Sequence, residues 1–189
     1  MESRAKLLGH PIHQMLIVFP LGLLATAVVF DVVGLFRDDG LWPTMAYYMI
    51  AAGVISGLVA AVFGAIDYFG IPMGTRARYV GTLHGVGNVA VVALFAASWL
   101  LRRPDPADPA AEAMIFSFLG VLLAAGTGWL GGELVGRLGV GVDDGAHVNS
   151  PSSLSGRPAA ENRSLGPFAG PERRHSVQGA YAGVERRAH

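Results

Sequence analysis

The sequence predicts an all-α integral membrane protein: an up-down-up-down four-helix bundle followed by a disordered C-terminal tail. Three observations carry this. Four apolar runs are each long enough to cross a bilayer, for which about 20 residues at ~1.5 Å rise suffice. Charged residues are only 15% of the 189 and apolar residues 52%, whereas a soluble domain carries about 25% charged residues. The joins between the runs are short and polar or proline-rich, which favours antiparallel neighbours.

Residues 1–12 form a short lead with Glu2, Arg4 and Lys6. The run behind it is too long for a signal-peptide core and has no small-residue cleavage site. The first span covers 13–36. Pro20 lies inside it, and a proline there frees a carbonyl and bends the helix. Arg37-Asp38-Asp39-Gly40 makes a turn. The second span runs over 43–69, with Trp42, Tyr47 and Tyr48 at one interface and Tyr68 and Phe69 at the other. Gly53, Ser56, Gly57, Ala60 and Gly64 share one face of it, a small-residue stripe that admits a neighbouring helix or a flat ligand. Asp67 continues the stripe.

A turn over 70–78 leads to the third span, 79–101, whose polar residues are Thr82, His84, Asn88 and Ser98. Arg102 and Arg103 bound it. Pro104-Asp105-Pro106-Ala107-Asp108-Pro109 breaks the helix. The fourth span covers 111–134, and the membrane domain is expected to occupy 13–142. Residues 143–189 turn rich in Gly, Pro, Ser and Arg, which predicts a disordered tail. His147, His175 and His189 are expected there in solvent.

The chain carries 14 basic and 14 acidic side chains, so no net charge points to nucleic acid. It has no cysteine, which removes disulfides, thiolate metal sites and Cys nucleophiles. No GxSxG elbow, HExxH pair or P-loop suggests a hydrolase.

The alternating topology brings the starts of spans one and three to the ends of spans two and four. At that level stand His10, His13, Asp67, His84 and Glu133, at least one metal-competent side chain per span. Ionisable groups at membrane depth are functional-site candidates by default. Asp31 is the main buried acid of the other half, about 27 Å along the same helical face from His13. Asn88 lies one turn from His84 and faces the same way.

Two chemistries would use this set. Neutral imidazoles from facing helices, His13 and His84, can ligate a haem b iron. The glycines of span two and Gly81, Gly85 and Gly87 would then make room for the macrocycle. Alternatively, histidines and carboxylates can bind a divalent transition metal directly. Without a metal, His13 and His84 could tie to Asp67 and Glu133 as interhelical hydrogen bonds.

The motif HPIHxxLIVFPLGLL at 10–24, Asp31, Gly64-Ala65-Ile66-Asp67-Tyr68, Leu83-His84-Gly85-Val86-Gly87-Asn88 and Gly128-Trp129-Leu130-Gly131-Gly132-Glu133 through Val142 occur in order, one set per span. Together they resemble the bacterial four-helix membrane family catalogued as domain of unknown function 2231, over about residues 7–142. The resemblance implies the fold and no fixed activity. Relatives joined to Rieske-type or cytochrome c-type modules imply an electron-transfer role.

The function expected is therefore a haem- or metal-binding redox protein using His13 and His84, with Asp67 and Glu133 as further ligands or supports. The alternatives are a structural or accessory membrane subunit without cofactor, and a proton or metal-ion transport component. The partners expected are the lipid bilayer, a redox partner protein and a second copy of the chain. Basic residues on the terminal face (Arg4, Lys6, Arg76, Arg78, Arg137) outnumber those opposite (Arg37, Arg102, Arg103). That points to a multi-pass protein of the bacterial inner membrane with cytoplasmic termini.

Overall fold

The computed structural model describes residues 1–37 and 39–161. Two strands, β1 (Lys6–Leu7) and β2 (His10–Pro11), precede five helices: α1 (Ile12–Leu16), α2 (Val18–Gly34), α3 (Leu41–Gly70), α4 (Arg76–Arg102) and α5 (Ala111–Gly136). Four spans result, because α1 and α2 together form one apolar stretch from Ile12 to Gly34. The break at Ile17 is where Pro20 acts: it has no N–H to give the carbonyl of Leu16, four residues back.

Side-chain contacts fix the alternation of direction. A Cβ on Gly53 would meet Leu24, and one on Gly34 would meet Pro43, so α2 and α3 run antiparallel. Tyr47 stacks on Trp99 while Tyr68 bonds Thr82, which reverses α4 against α3. Gly87 faces Thr127 and Gly120 faces Phe95, which reverses α5 against α4. The closest packing is α2 on α3 and α4 on α5. The spans therefore form two hairpins joined by the turn after Gly70.

Little of each span is enclosed. Only 17–22% of each apolar window is buried, while Leu21, Val62, Val86 and Leu122 are exposed. Such a surface requires lipid, and small residues at the helix contacts take over where the hydrophobic effect between helices is absent. The enclosed core is a cluster of Leu24, Ala27, Val28, Ala46, Ile50, Val91 and Phe95.

The N-terminal lead is more than an approach to the first span. β1 and β2 pair antiparallel through Leu8 and Gly9, both with positive φ (52° and 84°). A two-residue hairpin of this kind needs that conformation at both positions. Ser3, Arg4 and Ala5 then fasten to Asp67 near the end of α3.

Residues Met1–Val142 form one compact unit and a second begins at Asp143. Over 143–161 that second unit has turns and a 3-10 helix, Ser153–Ser155, with Arg157 paired to Glu161. His147 donates through Nε2 to the Glu161 carbonyl. The remainder of the expected disordered tail, with His175 and His189, lies outside the described residues, as does Asp38 of the first turn.

Candidate functional site

Two polar centres lie in the bundle, one near each end. At the terminal end, His13 and His84 face each other with ring centres 6.5 Å apart and planes at 86°. The ring nitrogens are committed in the same way. Nδ1 of His13 donates to the carbonyl of Ala60 at 2.9 Å, and Nδ1 of His84 to that of Thr127 at 2.9 Å. A carbonyl only accepts, so Nδ1 carries the hydrogen in each ring and Nε2 keeps its lone pair. Each ring lies against a glycine one turn further along the helix that supplies the carbonyl. A Cβ on Gly64 would stand 2.8 Å from Cε1 of His13, and one on Gly131 3.1 Å from Cε1 of His84.

Asn88 braces one of the two rings. Its Nδ2 donates to the His84 carbonyl at 2.8 Å and lies 3.3 Å from His84 Nε2. Thr127 donates to its Oδ1 at 3.3 Å. His13 is instead followed, one turn on, by apolar Ile17.

The other expected ligands are engaged elsewhere. Asp67 accepts from the hydroxyl of Ser3 (2.7 Å) and the amides of Arg4 (2.7 Å) and Ala5 (3.3 Å). A carboxylate 8% exposed is stabilised there by donors from the N-terminal strap. Glu133 pairs with Arg76 at 2.7 Å. His10 lies on the exposed hairpin strand β2. Among the described residues, no group of three or more His, Cys, Asp or Glu could hold a metal ion. The expected five-residue set therefore separates into a histidine pair, two occupied carboxylates and His10 on the hairpin strand, and the interhelical ties of the pair go to backbone carbonyls rather than to Asp67 and Glu133. The glycines expected to accommodate a macrocycle are also used: Gly53 by Leu24, Gly64 by His13, Gly81 by Tyr68 and Ile71, Gly87 by Thr127. Gly85 has nothing within 4 Å.

The second centre was half legible. Asp31 is 1% exposed, and its partner is Arg102, 0% exposed, which the hydropathy pattern puts at the boundary with Arg103. Long cations near helix ends ordinarily snorkel outward to the headgroups. Arg102 turns inward instead, because acceptors surround it. Its Nη1 and Nη2 each donate to one Asp31 oxygen at 2.7 Å. Nε donates to Ser98 at 3.1 Å and Nη2 also to Ser117 at 3.0 Å. The two serines bond each other at 2.7 Å, and Ser98 reaches the Ala113 carbonyl at 2.6 Å. One sequence signal could have found the partner. Arg102 follows Asp31 by 71 residues, the same interval that separates His84 from His13.

Between the centres the interior is the apolar cluster around Leu24 and Phe95. Ser56, of the small-residue stripe, donates back to Gly53 of its own helix.

A family model described as a predicted membrane protein (DUF2231) matches residues 9–144. No curated protein and no solved structure matches the chain.

Proposed function

Because the chain belongs to the DUF2231 family of predicted membrane proteins, we propose that it acts within the bilayer, through a metal centre held by His13 and His84 that serves electron transfer near one membrane face. The observation that carries this reading is the shared tautomer of the two rings: each has Nδ1–H tied to a backbone carbonyl, which makes Nε2 the acceptor nitrogen, on His84 with the Asn88 amide beside it. Metal-ligating histidines are oriented in this way, the outer hydrogen bond fixing tautomer and ring angle. Two imidazoles bonded to one ion from opposite sides, at roughly 2.0–2.1 Å each, would hold their ring centres about 6 Å apart. The separation of 6.5 Å and the near-perpendicular planes suit that arrangement.

Two nitrogens alone do not complete a coordination shell. Water would fill it for a bare ion, and a porphyrin would fill it for haem iron. The imidazoles themselves occupy the clearance over Gly64 and Gly131, so a haem would require the spans to part, and the smaller demand of a bare transition-metal ion favours that form of the centre. Imidazole donors suit copper, zinc, iron or nickel, and electron transfer requires copper or iron among these.

A second reading has an observation of its own. The Nδ1 bonds already tie α1 to α3 and α4 to α5, which suffices for an accessory subunit with no cofactor. The two readings differ in one titration. Detergent-purified protein should take up about one copper or iron ion per chain, and His13→Ala or His84→Ala should each abolish uptake. Uptake unchanged by either substitution contradicts the metal reading and leaves the ties as the role of the pair.

The reading includes a bacterial inner membrane with cytoplasmic termini. With Arg102 withdrawn into the core, Arg37 and Arg103 remain on the far face against five basic residues on the terminal face, which strengthens the positive-inside bias.

A further inference from the structure

Positions in the first hairpin recur in the second, and the recurring positions do the same thing. Counted from His13 and from His84, Leu24 answers to Phe95 and Asp31 to Arg102. On the return helices, Gly53 answers to Gly120, Ala60 to Thr127 and Gly64 to Gly131. Between the helices of each hairpin the contacts recur. His13 bonds the Ala60 carbonyl as His84 bonds that of Thr127. Leu24 lies against Gly53 as Phe95 lies against Gly120. The intimate contacts are α2 with α3 and α4 with α5; the looser ones are α3 with α4 and α2 with α5. That is the contact pattern of two like hairpins related by a two-fold axis along the membrane normal. The equivalent residues meet across that axis: the histidines at one end, Leu24 and Phe95 in one core cluster, Asp31 and Arg102 at the other end.

We infer that the two hairpins are copies of one folding unit, and that Asp31 and Arg102 are the specificity determinant by which the inner face of the first hairpin accepts the second and refuses a copy of itself. Two first hairpins would set Asp31 against Asp31, and two second hairpins Arg102 against Arg102. Like charges enclosed at low dielectric repel strongly and cannot regain water. Opposite charges at the equivalent position turn the same geometry into a two-pronged pair with both oxygens and both terminal nitrogens used. The other pairs named above, the histidines, Leu24 with Phe95 and the return-helix positions, carry no opposite charges and set no charge preference between the hairpins. The partner this face fits is a hairpin of the same family fold bearing the opposite charge at that one position.

The full chain tests this directly. Arg102→Asp alone and Asp31→Arg alone should each lose the monodisperse single-chain peak in mild detergent, since neither chain can close on itself. The double substitution D31R with R102D in one chain should restore that peak, which shows that both positions tolerate the exchanged side chains. Co-expression of the two single variants, differently tagged, should then recover folded one-to-one hetero-oligomers, each hairpin taking its complement from the other chain. Three results would overturn the inference: an unaffected single variant, a double variant no better than the singles, or co-expression that recovers nothing beyond either single variant alone.

Discussion

Arg102 and Asp31 at one end of the bundle, and His13 and His84 at the other, are built from equivalent positions yet hold their polar atoms in different ways. The guanidinium and carboxylate are sealed, 0% and 1% exposed, with two serines accepting what the ion pair leaves over. The imidazoles are half-buried: each commits Nδ1 to a carbonyl, and Nε2 stays the acceptor nitrogen, with the Asn88 amide 3.3 Å from that of His84. The difference separates two roles that hydropathy alone merges. The sealed network ties the two hairpins at one end through an ion pair and two serines, whereas the histidine pair at the other end bonds backbone carbonyls and the Asn88 amide.

The largest expected effect falls on the sealed end. Arg102→Ala or Asp31→Ala leaves a buried charge without its partner, which costs about 3–5 kcal/mol. Replacing both by apolar residues, Asp31→Leu with Arg102→Met, should cost far less, and thermal unfolding in detergent distinguishes the cases. A double replacement as damaging as either single one would mean that the serines, not the charges, carry the end. Next come the glycines beneath the rings. Gly64→Ala places a Cβ 2.8 Å from His13, and Gly131→Ala one 3.1 Å from His84. Overpacking of this kind costs about 1–3 kcal/mol, with Gly64→Ala the worse of the two.

Smaller still is the stability lost in His13→Ala or His84→Ala, about 1 kcal/mol for one interhelical hydrogen bond in a membrane. Loss of metal uptake with so small a loss of stability is the signature that sets the histidine end apart. A destabilisation matching that of Arg102→Ala would erase the comparison. Smallest is the exposed pair of the second unit. The hydrogen bond from Arg157 holds the Glu161 carboxyl below the usual glutamate range. Its contribution is present above the ordinary glutamate pKa and fades as pH falls through the lowered value. NMR titration should find a depressed Glu161 midpoint that Arg157→Ala returns to normal.

The spans were legible because length and hydropathy decide them: four apolar runs can satisfy their backbones in lipid only as helices. Pro20 announced the break at Ile17, and the small-residue stripe announced the close approach of α2 to α3. Depth was legible as well, since alternation alone put His13 and His84 at one level. Side-chain partners were not. Asp67 seemed to aim at the histidines because it continues the stripe of Gly64, but the strap at Ser3–Ala5, which no periodicity marks, reaches it with three donors. Arg102 read as an interfacial charge because hydropathy scores a residue and not its surroundings. Only the acceptors Ser98, Ser117 and Asp31, drawn from three helices, explain why it turns inward.

The central claim is that His13 and His84 jointly hold one metal centre. It is tested most directly by pulsed electron paramagnetic resonance on copper(II)-loaded protein in which the other histidines are removed by His10→Ala, His147→Ala, His175→Ala and His189→Ala. Coupling from two equivalent imidazole nitrogens is expected, falling to one when His84→Ala is added. A copper spectrum that shows no imidazole coupling, or that is indifferent to His84, would contradict the account.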